Sequence, residues 1–499
     1  MVAHCQTVAF DGMSPQIITV ECALIAGVPG FTIVGLPDKA VSEARERLRA
    51  ALASLSLALP AKKITINLAP ASLPKEGSHY DLPIALALLA AIDAIPRDQA
   101  AGLLAIGELA LDGRMLHVKG ALPAALAAAE ADLQLVCPAA CGPEAAWSDA
   151  SRTIAPANLS DVIAHLNGQI CVPAPAPRRT AAMQAPPDLD MRDVKGQSRA
   201  KRALEIAAAG RHNLLLIGPP GAGKSMLAAR LQTIMPPMTA REALETSILH
   251  SLAGLTKDGA IPQARPFRAP HHTASMPALV GGGRGAGPGE VSLAHNGVLF
   301  LDEMPEFSPQ ALDSLRQPVE TGNVSIARVH AKTSYPSKFL LMAAANPCRC
   351  GHLADPSRAC PRAPGCGSTY INRISGPLID RFDMLIHVPA VHPSELDQAP
   401  TGPTSAEIRA RVTAARHCQD QRNGDGRLNA DLSGGLLDKH APLCDESRAL
   451  LARACDTLHL SARGLHRLQR VARSIADLAG SPAITSDHIA EALWHREAL

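Results

Sequence analysis

Aromatic residues are scarce: Phe, Tyr and Trp make up only 2% of the 499 residues. That scarcity excludes extensive stacking of bases on aromatic rings, the device of single-strand-binding platforms. A surplus of charge of one sign is also lacking. Lysine and arginine number 48 against 46 aspartates and glutamates, a net charge of +2, so any nucleic-acid surface must be a local patch. Long apolar runs are missing too. The most apolar stretch, "LPIALALLAAIDAI", is broken by Asp93 and reads as a buried helix rather than a membrane span. The start, "MVAHCQTVAF", lacks the basic residues and long apolar stretch of a signal peptide. A cytoplasmic protein with reduced thiols is expected.

What is present is a globular composition, 47% hydrophobic and 19% charged, long enough for two or three domains. The clearest seam is "CVPAPAPRRTAAMQAPPDLD", whose repeated Pro and Ala favour an extended spacer over 173–190. Before it, strands and helices mix. "QIITVECALIAG" and "KKITINLAP" read as strands, "KAVSEARERLRAALASL" and "HYDLPIALALLAAI" as helices, and "LLAIGELALDGRMLHV" as a hairpin about Asp112-Gly113. After it, a helix "SRAKRALEIAAAG" precedes three apolar runs, "NLLLIG", "GVLFLDE" and "FLLMAAAN". These fit parallel strands buried on both faces. Beyond about residue 395 the pattern is helical. The fold class is α/β.

"GPPGAGKS" matches the phosphate-binding pattern G-x-x-x-x-G-K-S and lies between a strand and a helix. Gly218, Pro219, Pro220, Gly221, Ala222, Gly223, Lys224, Ser225 and Met226 form the expected nucleotide cradle, with backbone N–H groups and the helix start facing phosphate. Lys224 should reach the β and γ phosphates, and Ser225 should ligate Mg²⁺. In "VLFLDE", Asp302 suits the metal and Glu303 suits polarising the attacking water. Asn346, at the end of the next apolar run, is placed to help position that water.

The order of these motifs, followed by "LIDRFD" and a helical end, resembles an AAA+ ATPase over roughly residues 191–499. The resemblance implies that Arg381 is an arginine finger entering the neighbouring subunit's site, with Arg373 a second candidate. It also makes "SARGLHRLQRVARS" a sensor-2 helix, with Arg463 the best match and Arg467 next, both contacting nucleotide from the lid. A finger acting in trans requires a ring, most often a hexamer in this class.

Ahead of the spacer, "NLAPASLPKEGSHYDLPIALALL" and "GELALDGRMLHVKGALPAAL" resemble the Lon protease domain. Aligned without gaps, the nucleophilic serine position falls on His79 and the lysine position on Leu122. Ser78 is one residue early, and leucine cannot deprotonate a nucleophile. The expectation is a Lon-like α+β fold without the Ser/Lys dyad. This domain ahead of an AAA+ module related to the magnesium chelatase subunit resembles the YifB/ComM family of Mg-chelatase-like ATPases. "VGLPDKAVSEARERLRAAL", "RAPHHTASMPALVGGG" and "RISGPLIDRFD" carry the likeness. The family implies an ATP-driven DNA motor, a branch-migration helicase serving integration of transforming DNA by homologous recombination. A chelatase-type ATPase remodelling a protein partner is the second reading. The expected organisation is 1–172 Lon-like, 173–190 linker, 191–395 AAA+ core and 396–499 helical lid.

Within the core, the Gly-rich segment 265–290 carries Arg265, Arg268, His271, His272 and Arg284, and resembles the helix-2 insert whose loops face the pore. "GNVSIARVHAKTSYPSK" reads as a second hairpin with Arg328, His330 and Lys332 on one strand face. Both suit phosphate contacts without sequence preference. Finally, Cys348, Cys350, Cys360 and Cys366 lie at C-x-C-x₉-C-x₅-C in a Pro- and Gly-rich insert over 347–367. Four thiolates there would close a tetrahedral Zn²⁺ site, with His352 able to replace one. The insert has too little apolar content to fold unaided, so a metal would stabilise it.

Overall fold

The computed structural model describes residues 2–178, 189–256, 259–283, 287–327, 332–351, 353, 363, 365–391, 394, 402–458 and 461–496, without the side chains of 327, 332 and 455–458. Its N-terminal unit is built on a seven-stranded mixed sheet. The strand order is Gly30–Val34, Lys63–Ala69, Ser14–Ile25, Val2–Asp11, Leu103–Ala105, Gln134–Val136 and Thr153–Ile154. The first two strands in sequence form one antiparallel hairpin, in register from Val2↔Ala23 to Asp11↔Ser14. Gly12 turns it with φ +62, a conformation glycine adopts without strain.

Helix Lys39–Ser54 starts where the Asp38 side chain accepts from the Val41 N–H. Helix Asp81–Ala91 is apolar nearly all round and buried at every residue, as a helix clasped on all sides must be. Its Asp81, wholly buried, takes both oxygens to Arg47 at 2.6 and 2.8 Å. The expected single hairpin after it is split. Leu103–Ala105 joins the main sheet, and only Glu108–Leu109 pairs with Met115–Leu116.

The second unit holds a five-stranded, all-parallel sheet in the order Phe267–Arg268, Val298–Leu301, Leu340–Ala345, Leu214–Ile217 and Met384–His387. The three apolar runs are its central strands, and all their residues are buried. Helices Ser405–Asn423, Asp445–Leu458, Ala462–Leu478 and Ser486–Trp494 build the C-terminal region. This region shares one apolar core with helix Ser198–Gly210 and the sheet. At Gly210 the two layers touch so closely that a Cβ would lie 2.2 Å from His212 Nε2 and 2.3 Å from Ser474 Oγ.

The two units are joined by more than the spacer. Glu144, 4% exposed, accepts from Leu122 N–H at 3.1 Å, from Thr256 Oγ1 at 2.7 Å and from Ser251 Oγ. Trp147 Nε1 donates to Gly259 O at 3.0 Å, and Thr333 Oγ1 to Asp11 at 3.0 Å. Leu122 therefore sits buried at this seam. His79 is buried with Nε2 on Val8 O at 2.9 Å, and Ser78 donates to Glu108.

Candidate nucleotide site

The phosphate loop runs from the strand Leu214–Ile217 into the helix Lys224–Ile234. Gly221 and Gly223 have φ +78 and +88, so each needs glycine for backbone reasons. Gly218 needs it for space, since a Cβ would lie 2.1 Å from Val388 O, just past the adjoining strand Met384–His387. Lys224 Nζ is gathered into the loop, donating to Gly218 O at 2.7 Å, Pro219 O at 2.9 Å and Asn346 Oδ1 at 3.0 Å. Burial pulls the Lys224 ammonium below its ordinary pKa, while the Asp302 and Glu303 carboxylates oppose that shift.

Ser225 Oγ donates to Asp302 Oδ2 at 2.7 Å, so the two expected Mg²⁺ ligands share one point in space. They are hard oxygen donors, which suits that cation when nucleotide brings it. Glu303 stands next in the left-handed region at φ +48, a conformation that a non-glycine residue adopts at a cost. His272 Nδ1 lies 3.9 Å from its carboxylate. Lys224, Ser225, Asp302, Glu303 and Asn346, five residues from three chain segments, thus converge.

A cavity of about 910 Å³ opens beside the loop, near the upper end of the range for small-molecule sites. It is lined by Gln197, Ile217, Pro219, Val388, Ile408 and Arg411 among others, a mixed apolar and polar wall suited to a base and ribose. Gln197 and Arg411 carry no motif signal. Pro220, on the loop's outer turn, packs under Gly351, where a Cβ would come within 2.3 Å. Met226, in the first helical turn, is 48% exposed.

The arginines expected from the resemblance lie elsewhere. Arg381 donates to Arg316 O at 3.0 Å, to Pro377 O at 2.5 Å and to Glu320. Arg373 pairs with Glu306 at 3.1 Å. Arg463 approaches Glu320 at 3.9 Å, and Arg467 approaches Asp383 at 3.7 Å. Arg381, Arg463 and Arg467 line a second cavity of about 360 Å³ whose walls include no residue of the phosphate loop. Arg463 and Arg467, expected to contact nucleotide from the lid, thus stand beside Arg381 and apart from the phosphate loop of their own chain.

Two basic residues of the Gly-rich segment expected to contact phosphate are instead engaged by carboxylates of the chain itself, Arg265 in the interior and Arg268 part-exposed. Arg265 is 6% exposed and donates to both oxygens of Glu242 and to the carbonyls of Pro236 and Asn296. A buried guanidinium with its donors filled holds structure and grips no phosphate. Arg268 forms a bidentate pair with Glu290, 2.6 Å on each arm, which pushes its pKa up. The His271 and His272 rings lie tilted against each other at 34° with centres 4.1 Å apart, and His271 Nδ1 bonds Thr273 Oγ1 at 2.9 Å.

Arg284, Arg328, His330 and the side chain of Lys332 fall outside the described residues. The described residues on either side pair antiparallel, Gly281–Gly282 with Gly287–Pro288 and Asn323–Ala327 with Lys332–Pro336. The two strand pairs abut, a Cβ on Gly281 coming within 3.0 Å of Ile326 Cδ1.

Of the four cysteines proposed for zinc, Cys360 lies outside the described residues, as does His352. Cys348 and Cys350 meet at 3.2 Å between sulfurs. That is closer than the roughly 3.8 Å expected for two thiolates on a tetrahedral zinc with bonds of about 2.3 Å. Among the described residues no group of three or more His, Cys, Asp or Glu is placed to hold a metal ion. Nor is any described helix long and apolar enough to cross a membrane.

Comparison with known proteins adds to this geometry. Residues 190–396 match the family model of magnesium chelatase, subunit ChlI, and 402–496 match that of the ChlI C-terminal region. Residues 20–140 match a further model, subunit ChlI of Mg-chelatase. The chain is 44% identical over 489 residues to the competence protein ComM of Haemophilus influenzae, covering 97% of this chain and 95% of that protein. It is 43% identical over 496 residues to YifB of Salmonella typhimurium, covering 99% and 97%. At 24% identity over 342 residues it also matches the DNA replication licensing factor Mcm5 of Drosophila melanogaster, covering 63% of this chain and 42% of that protein.

Proposed function

Because the chain belongs to the YifB/ComM family of magnesium-chelatase-like AAA+ ATPases, we propose that it is a ring-forming DNA motor, its ATP hydrolysis driving branch migration as transforming DNA is integrated. One observation carries this reading. The phosphate loop, the Asp302–Glu303 pair and Asn346 converge in one place, while Arg381 and Arg463 point into a separate cavity. A single chain thus holds two halves of a catalytic site that do not meet. A head-to-tail ring brings the arginine half of one copy to the phosphate half of the next.

In that arrangement Lys224 moves from loop carbonyls to phosphate oxygens. Ser225 and Asp302 would hold Mg²⁺, which would supply neutralisation of phosphate charge when bound with nucleotide. Glu303 accepts the proton of the attacking water, and Asn346, already bonded to Lys224, fixes that water's place. Arg381, with Arg463 beside it, stabilises charge on the transferred phosphoryl group from the neighbouring copy.

Three features favour DNA as the substrate of the motion. The relative ComM is named for competence, the more distant relative Mcm5 for DNA replication, and two strand pairs lie side by side whose connecting sequences carry Arg284, Arg328 and His330. Contacts through Arg284, Arg328 and Lys332 to phosphates would serve translocation without reading sequence. Branched DNA is expected to raise ATP turnover several-fold, and a Lys224→Ala chain to fail at ATP-driven strand exchange. Turnover left flat by branched and single-stranded DNA would instead favour the second reading, a chelatase-type ATPase remodelling a protein, which the family models' own descriptions support.

Zinc at Cys348, Cys350, Cys360 and Cys366 belongs to this reading on the spacing of the thiols. The turn Cys348–Gly351 leans on Pro220 of the phosphate loop, so stiffening it would act on turnover more than on folding. Elemental analysis of the purified protein should find one zinc per chain, lost in a Cys348→Ser, Cys350→Ser variant together with much of the ATPase activity. A metal-free wild type, or unchanged turnover in the variant, removes the site from the account.

A further inference from the structure

Glu320 ends the charged face of the helix Arg316–Thr321 and receives two guanidiniums from different parts of the chain. Arg381 arrives from just beyond the short helix Gly376–Ile379, and Arg463 from the first turn of the lid helix Ala462–Leu478. Arg381 is 12% exposed and each of its nitrogens is already engaged: Nε on Arg316 O, one terminal nitrogen on Pro377 O and the other on Glu320. A guanidinium held this way cannot present its planar fork to another chain's phosphoryl group without leaving Glu320. The carboxylate itself is half-exposed, so an incoming anion can reach the same point.

The cavity around this point is strongly cationic. Arg381, Arg463, Arg467, Arg470, Arg211 and Lys338 line it, against the acidic Glu320, Asp383 and Asp431. The chain leading to the finger is also pinned to the residues that follow Glu303. Arg373 pairs with Glu306 at 3.1 Å, Ser375 Oγ donates to Asp313 at 2.7 Å, and Arg381 donates to Glu320. The last of these three ties is the one that an arriving anion would break.

We propose that Glu320 is a positioning residue for the arginines that act in trans: it holds Arg381 and Arg463 on one carboxylate, in the place of the tetrahedral phosphoryl anion that a nucleotide-loaded second copy brings. This rests on the interprotomer reading above. An exposed carboxylate pair is weak, and a phosphoryl group with several charges and three acceptor oxygens outcompetes it. The exchange therefore takes place only at an interface carrying ATP. An empty neighbour leaves the finger where it is, which couples assembly of the catalytic site to nucleotide.

Titrating protein concentration in an ATPase assay tests this with wild type, Glu320→Gln and Glu320→Ala. Removing the competing charge is expected to lower the protein concentration at half-maximal specific activity at least threefold in both variants, with the affinity of the chain for a fluorescent ADP analogue unchanged. A midpoint that stays within threefold of wild type, or rises, overturns the proposal. Should both variants melt below wild type, the titrations are repeated at a temperature below every melting transition and judged by the same threefold criterion. An Arg381→Ala chain is assayed in parallel. Wild-type turnover in that chain removes the interprotomer reading itself, whereas an inactive Arg381→Ala chain with an unshifted Glu320→Gln midpoint removes only the role of Glu320.

Discussion

Exchanging Arg381 for alanine is expected to lower ATP turnover by about 10³ to 10⁵, the range that a finger contributes in related phosphoryl transfers. The isolated chain should bind nucleotide as before, since Arg381 lines none of the cavity beside the phosphate loop. The physical reason lies in where charge develops. The γ-phosphoryl group in flight spreads negative charge over three oxygens, and a fixed guanidinium facing it is worth far more there than in the ground state. Steady-state kinetics and equilibrium nucleotide binding on the same preparation separate the two effects. A large fall in affinity with kcat preserved would place Arg381 in its own chain's binding site instead.

Glu303→Gln is expected to have the next largest effect, on the other half of the site. The amide keeps the shape but cannot take a proton, so turnover should fall by about 10² to 10⁴, typical for a general base. Nucleotide affinity should persist, because Lys224, Ser225 and Asp302 are untouched. The variant should therefore accumulate ATP-bound assemblies, visible by light scattering as a larger and longer-lived particle than wild type forms. Turnover within tenfold of wild type would show that another group activates the water, and His272, 3.9 Å away, would be the first to examine.

Much of this was legible in the chain because the informative residues are local. Glycines at 218, 221 and 223, the lysine after them and an apolar run on either side specify a strand, a tight loop and a helix within a dozen residues. The apolar runs ending at Asp302 and Asn346 announced two more strands, and both residues stand at strand ends where they meet Ser225 and Lys224. Ion pairs that close over long stretches of chain were not legible. Arg265, in a Gly-rich stretch that looked built for phosphate, is claimed by Glu242 on the preceding helix, Ala240–Ala253. Arg463 looked like a nucleotide contact because of its place in the motif order. Its partner in the structure, Glu320 at 3.9 Å, lies more than a hundred residues earlier in the chain, beyond the reach of any motif spacing. Neither Glu320 nor the cavity residues Gln197 and Arg411 belong to a pattern that spacing could reveal.

Subunit mixing puts the split site to the most direct test. An Arg381→Ala chain keeps its phosphate half and lacks the finger, while a Lys224→Ala chain keeps the finger and lacks a working phosphate half. Each should be inactive alone. Mixed at equal amounts, random assembly puts about a quarter of the sites between an intact phosphate half and an intact finger, and ATP turnover should reappear in that proportion. A mixture no more active than the sum of its parts, or an Arg381→Ala chain that hydrolyses ATP at full rate alone, would contradict a site shared between copies.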